Sequence, residues 1–301
     1  MPLFKGWNDI SVVATSFAGT SPLRQNTIRI THTGEGALDK YGTLHIVSVG
    51  VDRYDGLGNS CADRSGGYTA PCHLRYAAAD AKAFAEAAHE EMGPLHQRVV
   101  KRVLVTGAKA ARDVPTKANI EAAIRELQNA GPTDTVAVFL AGHGEEGEGG
   151  RYYFLPTDVQ RSPDGGVGRG RNLIDWSAVQ GPVTKALGRR LMFVDACQSG
   201  RAQLSRVYNQ RLLADARAER FTVFSATSPD QLAEESPGIG HGLFTYALIK
   251  GLKGEALDRR GRVIRAYRLG TYLTEEVRMM SASRQEPEFY SGHGDIVLVR
   301  E

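Results

Sequence analysis

Leu191-Met192-Phe193-Val194-Asp195-Ala196-Cys197-Gln198-Ser199-Gly200 is the stretch on which the fold turns. Its four leading apolar residues read as a strand buried on both faces, the pattern of a parallel sheet. The strand runs out into an acid, a cysteine and a glycine turn. That puts the cysteine at the mouth of a sheet, where open α/β sheets bind their ligands. A thiol there becomes a nucleophile only if the chain also supplies a base, backbone N–H groups and a place for substrate.

Working outward, residues 134–141 form a second buried strand, which ends in Gly142-His143-Gly144. Residues 44–51, 99–105, the short 152–155, 221–226 and 295–299 also read as strands. Helical patterns lie between them. Residues 76–92 are rich in alanine and close at Gly93-Pro94. Pro115-Thr116 opens a helix with Ile120, Ala123, Ile124 and Leu127 on one face. Residues 172–187 are helical, with Gly181-Pro182 expected to interrupt them. Residues 243–252 are apolar throughout, and 265–280 place Leu269, Tyr272, Leu273, Val277 and Met280 on one face. Such alternation predicts an α/β fold: a six-stranded, mainly parallel sheet with helices on both faces.

Residues 1–40 differ. Short β-like runs at 10–17 and 27–31 precede a Gly34-Glu35-Gly36 linker, so an N-terminal arm or pro-segment is expected ahead of one domain, 41–301. The Gly- and Arg-rich stretch 159–171 is expected to be mobile.

Composition excludes several classes. With 37 Lys and Arg against 34 Asp and Glu, the net charge of +3 is too small, and the basic residues too scattered, for nucleic acid. No apolar run reaches the ~18 residues that span a bilayer. No secretory signal pattern opens the chain, and a cytoplasmic location is expected. Three cysteines are too few for a disulfide framework. Cys61 and Cys72 flank one loop and could pair, but in a reducing cytoplasm they are expected to be free thiols.

The chemistry-bearing pattern is strand–His143–Gly144 and, with Cys197 54 positions after His143, strand–Asp195–Ala196–Cys197–x–x–Gly200. Neither half is diagnostic alone. Together they resemble the caspase-like cysteine peptidases, whose signature joins such a cysteine to an upstream histidine. The Asp195-Ala196-Cys197-Gln198-Ser199-Gly200 form is similar to that of metacaspases and orthocaspases. Asp80-Ala81-Lys82, the run 139–144 and Gly242-Leu243-Phe244-Thr245-Tyr246-Ala247 are further landmarks, and the similarity covers about residues 44–299. The resemblance implies a caspase-like fold, Cys197 as nucleophile, His143 as its acid–base partner, an oxyanion site at the backbone N–H groups of Gly144 and Cys197, and peptide-bond hydrolysis. Two other pairs, His241-Gly242 and His293-Gly294, follow no apolar strand and read as loop or helix-start residues.

The same resemblance implies a P1 pocket of Asp80 and Asp195, suited to Arg and less to Lys, because paired carboxylates match a guanidinium and repel an aspartate. Asp80 as a helix cap, and Asp195 as a partner of His143 or of loop backbone, are the competing structural readings. An Arg-cutting enzyme would threaten its own Arg201, Arg206 and Arg211, in the segment that caspase-like enzymes process, and the 159–171 loop adds Arg161, Arg169 and Arg171. The expected partners are protein substrates and an upstream activating protease. No cofactor is expected. Some metacaspases use calcium, but Glu145, Glu146 and Glu148 lack an alternating oxygen-ligand pattern. The alternative functions are a caspase-like adaptor or pseudoenzyme acting by binding, and a peptide ligase using the same pair.

Overall fold

The computed structural model describes residues 6–11, 15–16, 19–20, 27–32, 40–58, 60–62, 69–147, 151–163, 166–198, 212–228, 231, 233–257, 263–292 and 294–300. Residues before 40, 60–62, 69–71, 146, 197 and 198 enter through their backbone alone. In chain order the elements begin with β1 (Gly6–Ser11), β2 (Thr15–Ser16), β3 (Gly19–Thr20), β4 (Thr27–His32) and β5 (Tyr41–Gly50). Next come β6 (Ser60–Ala62), β7 (Thr69–Pro71), α1 (Ala77–Ala87), β8 (His96–Val105), α2 (Lys117–Glu126) and β9 (Thr135–Glu146). β10 (Tyr152–Phe154), β11 (Ile174–Asp175), α3 (Trp176–Lys185) and β12 (Arg189–Gln198) lead to α4 (212–219) and β13 (Thr222–Ser225). The chain closes with β14 (Glu235–Ser236), β15 (His241–Gly242), α5 (Leu243–Lys250), β16 (Val263–Arg265), α6 (Ala266–Met280), β17 (Glu288–Tyr290) and β18 (Val297–Arg300).

Among the described residues the central sheet holds eight strands rather than six. Its core is parallel: β5 pairs β8 and β9, and β12 lies between β9 and β13. β17 adds an antiparallel edge, β10 pairs antiparallel with the far end of β9, and β11 pairs antiparallel with β10. The C-terminal run expected as the sixth strand does not join. Residues Val297–Arg300 pair instead with β16, away from the sheet, and the edge is taken by Glu288–Tyr290. Both runs are short, and only tertiary contact decides which one the edge accepts.

Residues alternate between two cores. Phe139, Phe193, Phe224 and Leu44 face α1, α5 and α6, whereas Val138, Met192, Val194 and Val223 face α2, α3 and α4. The first core contains a row of rings in register: Phe139 on β9, Phe193 on β12, Phe224 on β13 and Phe289 on β17. Phe193 and Phe224 stack at 5.0 Å, and Phe84 of α1 stacks on Phe139 at 4.7 Å. Aromatic pairs of this kind each add about 0.5–1.5 kcal/mol beyond burial, so this row fixes α1 against the middle of β9 and β12.

Three local expectations need correction. Gly181-Pro182 does not interrupt α3, which runs through both. Proline φ suits a helix, and burial of Trp176, Val179 and Val183 outweighs one lost backbone bond. The stretch 159–171, where described, is tied down: Gln160 and Arg171 exchange backbone hydrogen bonds, and Arg161 Nε donates to the Leu57 carbonyl at 3.0 Å. Cys72 is no free thiol but is held in a disulfide. Cys61 lies opposite Ala70 in the β6–β7 ladder. Among the described residues no helix is long and apolar enough to cross a membrane. Ahead of the sheet, β1 pairs antiparallel with β4, Gly6 opposite His32 and Ser11 opposite Thr27.

Candidate active site

β9 is longer than β5. Past Ala141, where β5 ends, β10 takes over on that side and pairs with residues 144–146. β12 follows β9 on the other side as far as Gln198, and this register sets Cys197 beside His143. The two residues that the sequence singles out are therefore ladder neighbours at the carboxyl end of the parallel sheet. The Cys197 thiol itself lies outside the described atoms.

His143 is buried and held from several directions. Its backbone N–H donates to the Tyr54 hydroxyl at 2.7 Å, and that hydroxyl donates to the Val51 carbonyl at 3.0 Å. The Tyr54 ring lies 4.9 Å from the imidazole. Nε2 of His143 lies 3.1 Å from the Cys72 carbonyl oxygen. A carbonyl only accepts, so Nε2 carries the proton and Nδ1 is the basic nitrogen. Nδ1 has no hydrogen-bond partner among the described residues. Burial pushes the imidazole down to about 4, with the Cys72 carbonyl opposing that shift only in part. The ring is thus a neutral base at pH 7, with one nitrogen fixed and the other open.

Gly144, beside it, is needed for a reason the sequence did not give. The Tyr152 phenol occupies the space where a side chain at 144 would project. Glycine here admits Tyr152 against the strand, whatever else approaches its backbone.

Two positions before Cys197 lies a carboxylate cluster. Asp195 Oδ2 accepts from Thr245 Oγ1 at 2.5 Å. Asp80, buried on the first turn of α1, accepts from the Gly242 N–H at 3.2 Å and contacts His241 Nδ1 at 2.6 Å. A Cβ on Gly242 would stand 3.1 Å from Asp195 Oδ2 and 3.3 Å from Asp80 Oδ2, so the two carboxylates converge on this glycine. Gly242 has ordinary strand angles, φ −63° and ψ 143°; it is glycine because of what approaches it.

Asp80 does not cap its helix. Asp52 accepts the Ala78 N–H at 2.8 Å, and Glu235 accepts those of Arg75 and Tyr76 at 3.1 and 3.0 Å. These acids bring four carboxyl groups together, and the charges interact. Burial, then the Asp80 charge, push Asp195 up to about 7. Burial raises Asp80 despite the opposing His241 hydrogen bond, and that same bond raises His241.

Sequence reasoning brought Asp80, Asp195, His143 and Cys197 forward, and the fold gathers all four at one end of the sheet. It missed Tyr54, Asp52, Glu235 and Thr245, and it read His241 as no more than a loop or helix-start residue. Thr245 and Gly242 belong to a stretch already singled out, and His241 adjoins it. Tyr54, Asp52 and Glu235 stand in segments without a periodic pattern. Arg201, Arg206 and Arg211 lie outside the described residues. Among the described residues no group of three or more His, Cys, Asp or Glu is arranged to hold a metal.

A family model, the caspase domain, matches residues 67–295. The chain belongs to the caspase-domain family. That places it among cysteine-peptidase folds, whose substrates are proteins. The solved structures include a similar chain, protein GSU0716 from Geobacter sulfurreducens, at 16% identity and a TM-score of 0.53 over 83% of this chain and 93% of that one. At that identity the likeness speaks for the fold of this caspase-domain chain alone. No curated protein matches.

Proposed function

We propose that this caspase-domain protein is a cysteine endopeptidase that cleaves after arginine. The observation that carries the reading is the convergence of Asp80 and Asp195 on Gly242, with Asp195 on the strand that bears Cys197. Two carboxylates meeting over a bare backbone suit a planar cation with several donors, and a guanidinium forms paired charge-assisted bonds with such oxygens. An acidic P1 side chain would be repelled.

In this mechanism Nδ1 of His143 takes the Cys197 thiol proton, and the thiolate attacks the P1 carbonyl carbon. Backbone N–H groups of Gly144 and Cys197 stabilise the oxyanion. The imidazolium then returns its proton to the leaving amine as the C–N bond breaks. Water, deprotonated by the same Nδ1, hydrolyses the thioester and restores the thiol. Metacaspase-like specificity turned on the chain itself would cut at Arg201, Arg206 or Arg211.

Fluorogenic peptides with P1 Arg, Lys and Asp test the reading, with Cys197→Ala as control. Cleavage after Arg, weaker after Lys, and absent in the variant is the expected result. Preference for Asp would overturn the pocket while sparing the catalytic pair. Activity surviving in Cys197→Ala would overturn the nucleophile. Intact-mass measurement of active and Cys197→Ala protein reads self-cleavage, and product mass separates hydrolysis from ligation.

A further inference from the structure

Asp80 already has a cationic partner. The His241 imidazole, 25% exposed, meets the Asp80 carboxylate, 4% exposed, at 2.6 Å. The contact is built into the backbone. β14 pairs antiparallel with β15, Ser236 opposite His241 and Glu235 opposite Gly242. The Gly242 N–H takes the second Asp80 oxygen, so the dipeptide His241-Gly242 holds both. The surrounding charged groups are Asp195 on β12, Glu235 on β14, Asp52 ahead of α1 and the exposed Lys82 on α1. Glu235 and Asp52 accept the backbone N–H groups at the start of α1. His241 is thus the direct counter-ion of the one carboxylate on α1 that faces Gly242.

We propose that His241 is a proton-operated gate on the P1 pocket: charged, it holds Asp80 as an internal cation, and on losing its proton it yields that carboxylate to the substrate guanidinium. The inference rests on the Arg-pocket reading above and adds to it a specificity-determining residue. One proton leaves to solvent as one guanidinium enters, so the charge beside Asp80 is conserved. The Asp80 hydrogen bond raises His241 above the usual histidine range, and Asp195 titrates at about 7. His241 and Asp195 therefore both give up proton occupancy when P1 Arg binds near neutral pH.

The test is KM for a P1-Arg peptide across about pH 5.5 to 9 in wild type, His241→Asn and His241→Gln. In wild type, log KM falls more steeply with rising pH than in the variants, each linked proton being worth at most about tenfold per pH unit. At the acid end of this range the variants show lower KM, the curves meet at high pH, and kcat is unaltered. Parallel profiles, or higher KM in the variants at every pH, overturn the gate alone. No cleavage after Arg by wild type overturns the pocket reading and the gate with it. A second measurement needs no change at His241. In Cys197→Ala protein at about pH 7, saturating argininamide shifts the His241 ring signals in NMR to the neutral form. Binding of argininamide without that shift overturns the gate.

Discussion

Two histidines of this molecule, His143 on β9 and His241 on β15, have opposite electrostatics. Among the described residues His143 meets the Cys72 carbonyl and the Tyr54 ring, His73 adds to the shift, and burial holds it neutral. His241 is more exposed and touches Asp80, which favours its charged form. The first is built as a base, the second as a counter-ion. Neighbours, rather than residue type, set the proton count.

The comparison breaks hardest at His143. His143→Ala lowers kcat by about 10³-fold, the usual scale for losing a general base, with KM for P1 Arg little changed. An equal loss in KM would mean that the two regions are not separate. Burial of His143 also makes stability pH-dependent. Its folded value of about 4 lies below the ordinary 6.5, so its contribution is present above 6.5 and is lost as pH falls through about 4. Acid unfolding of wild type and His143→Ala reads that difference.

Asp195→Asn acts on the other region. KM for P1 Arg rises about ten- to a hundredfold, the scale of a hydrogen bond to a charged group. Wild-type KM falls as pH rises through about 7, where Asp195 gains its charge, and the variant loses that part of the dependence. Stability runs the other way. A carboxyl raised from 3.8 to about 7 costs the empty protein stability as pH rises across that window, and Asp195→Asn removes the loss.

Gly242→Ala sharpens the contrast with less chemistry. Its backbone angles accept alanine, but the methyl would stand 3.1 and 3.3 Å from the two carboxylates. KM for P1 Arg rises about tenfold, within the ~1–3 kcal/mol of a methyl forced into a packed site, while kcat holds. Tyr54→Phe is the smallest step. It leaves the buried His143 N–H without its acceptor, costing about 1–3 kcal/mol. A lower Tm and a kcat reduction well short of His143→Ala are expected in thermal melts and peptide assays.

The apolar runs at β5, β8, β9, β12 and β13 were legible because strands buried on both faces leave continuous hydrophobic stretches. So were α2, through its Thr116 cap and one-sided face, and α6. The C-terminal strand was misplaced because a short apolar run carries no record of its partner. The disulfide at Cys72 was missed because spacing alone does not establish that two thiols meet. Asp80 was recognised for its resemblance, but its release from helix capping depends on Asp52 and Glu235, which come from other parts of the chain.

The sequence by itself determined the parallel α/β core, the positions of Cys197 and His143 at strand ends, and the acids beside them, because hydrophobic periodicity and strand-end motifs are local. Tertiary structure alone decided the protonation of those groups. Burial behind Tyr54 and β10, the Cys72 carbonyl at Nε2, and the meeting of Asp80, Asp195 and His241 over Gly242 all join residues far apart in the chain. Charge energies follow distance and solvent exclusion, and both exist only once the chain has folded.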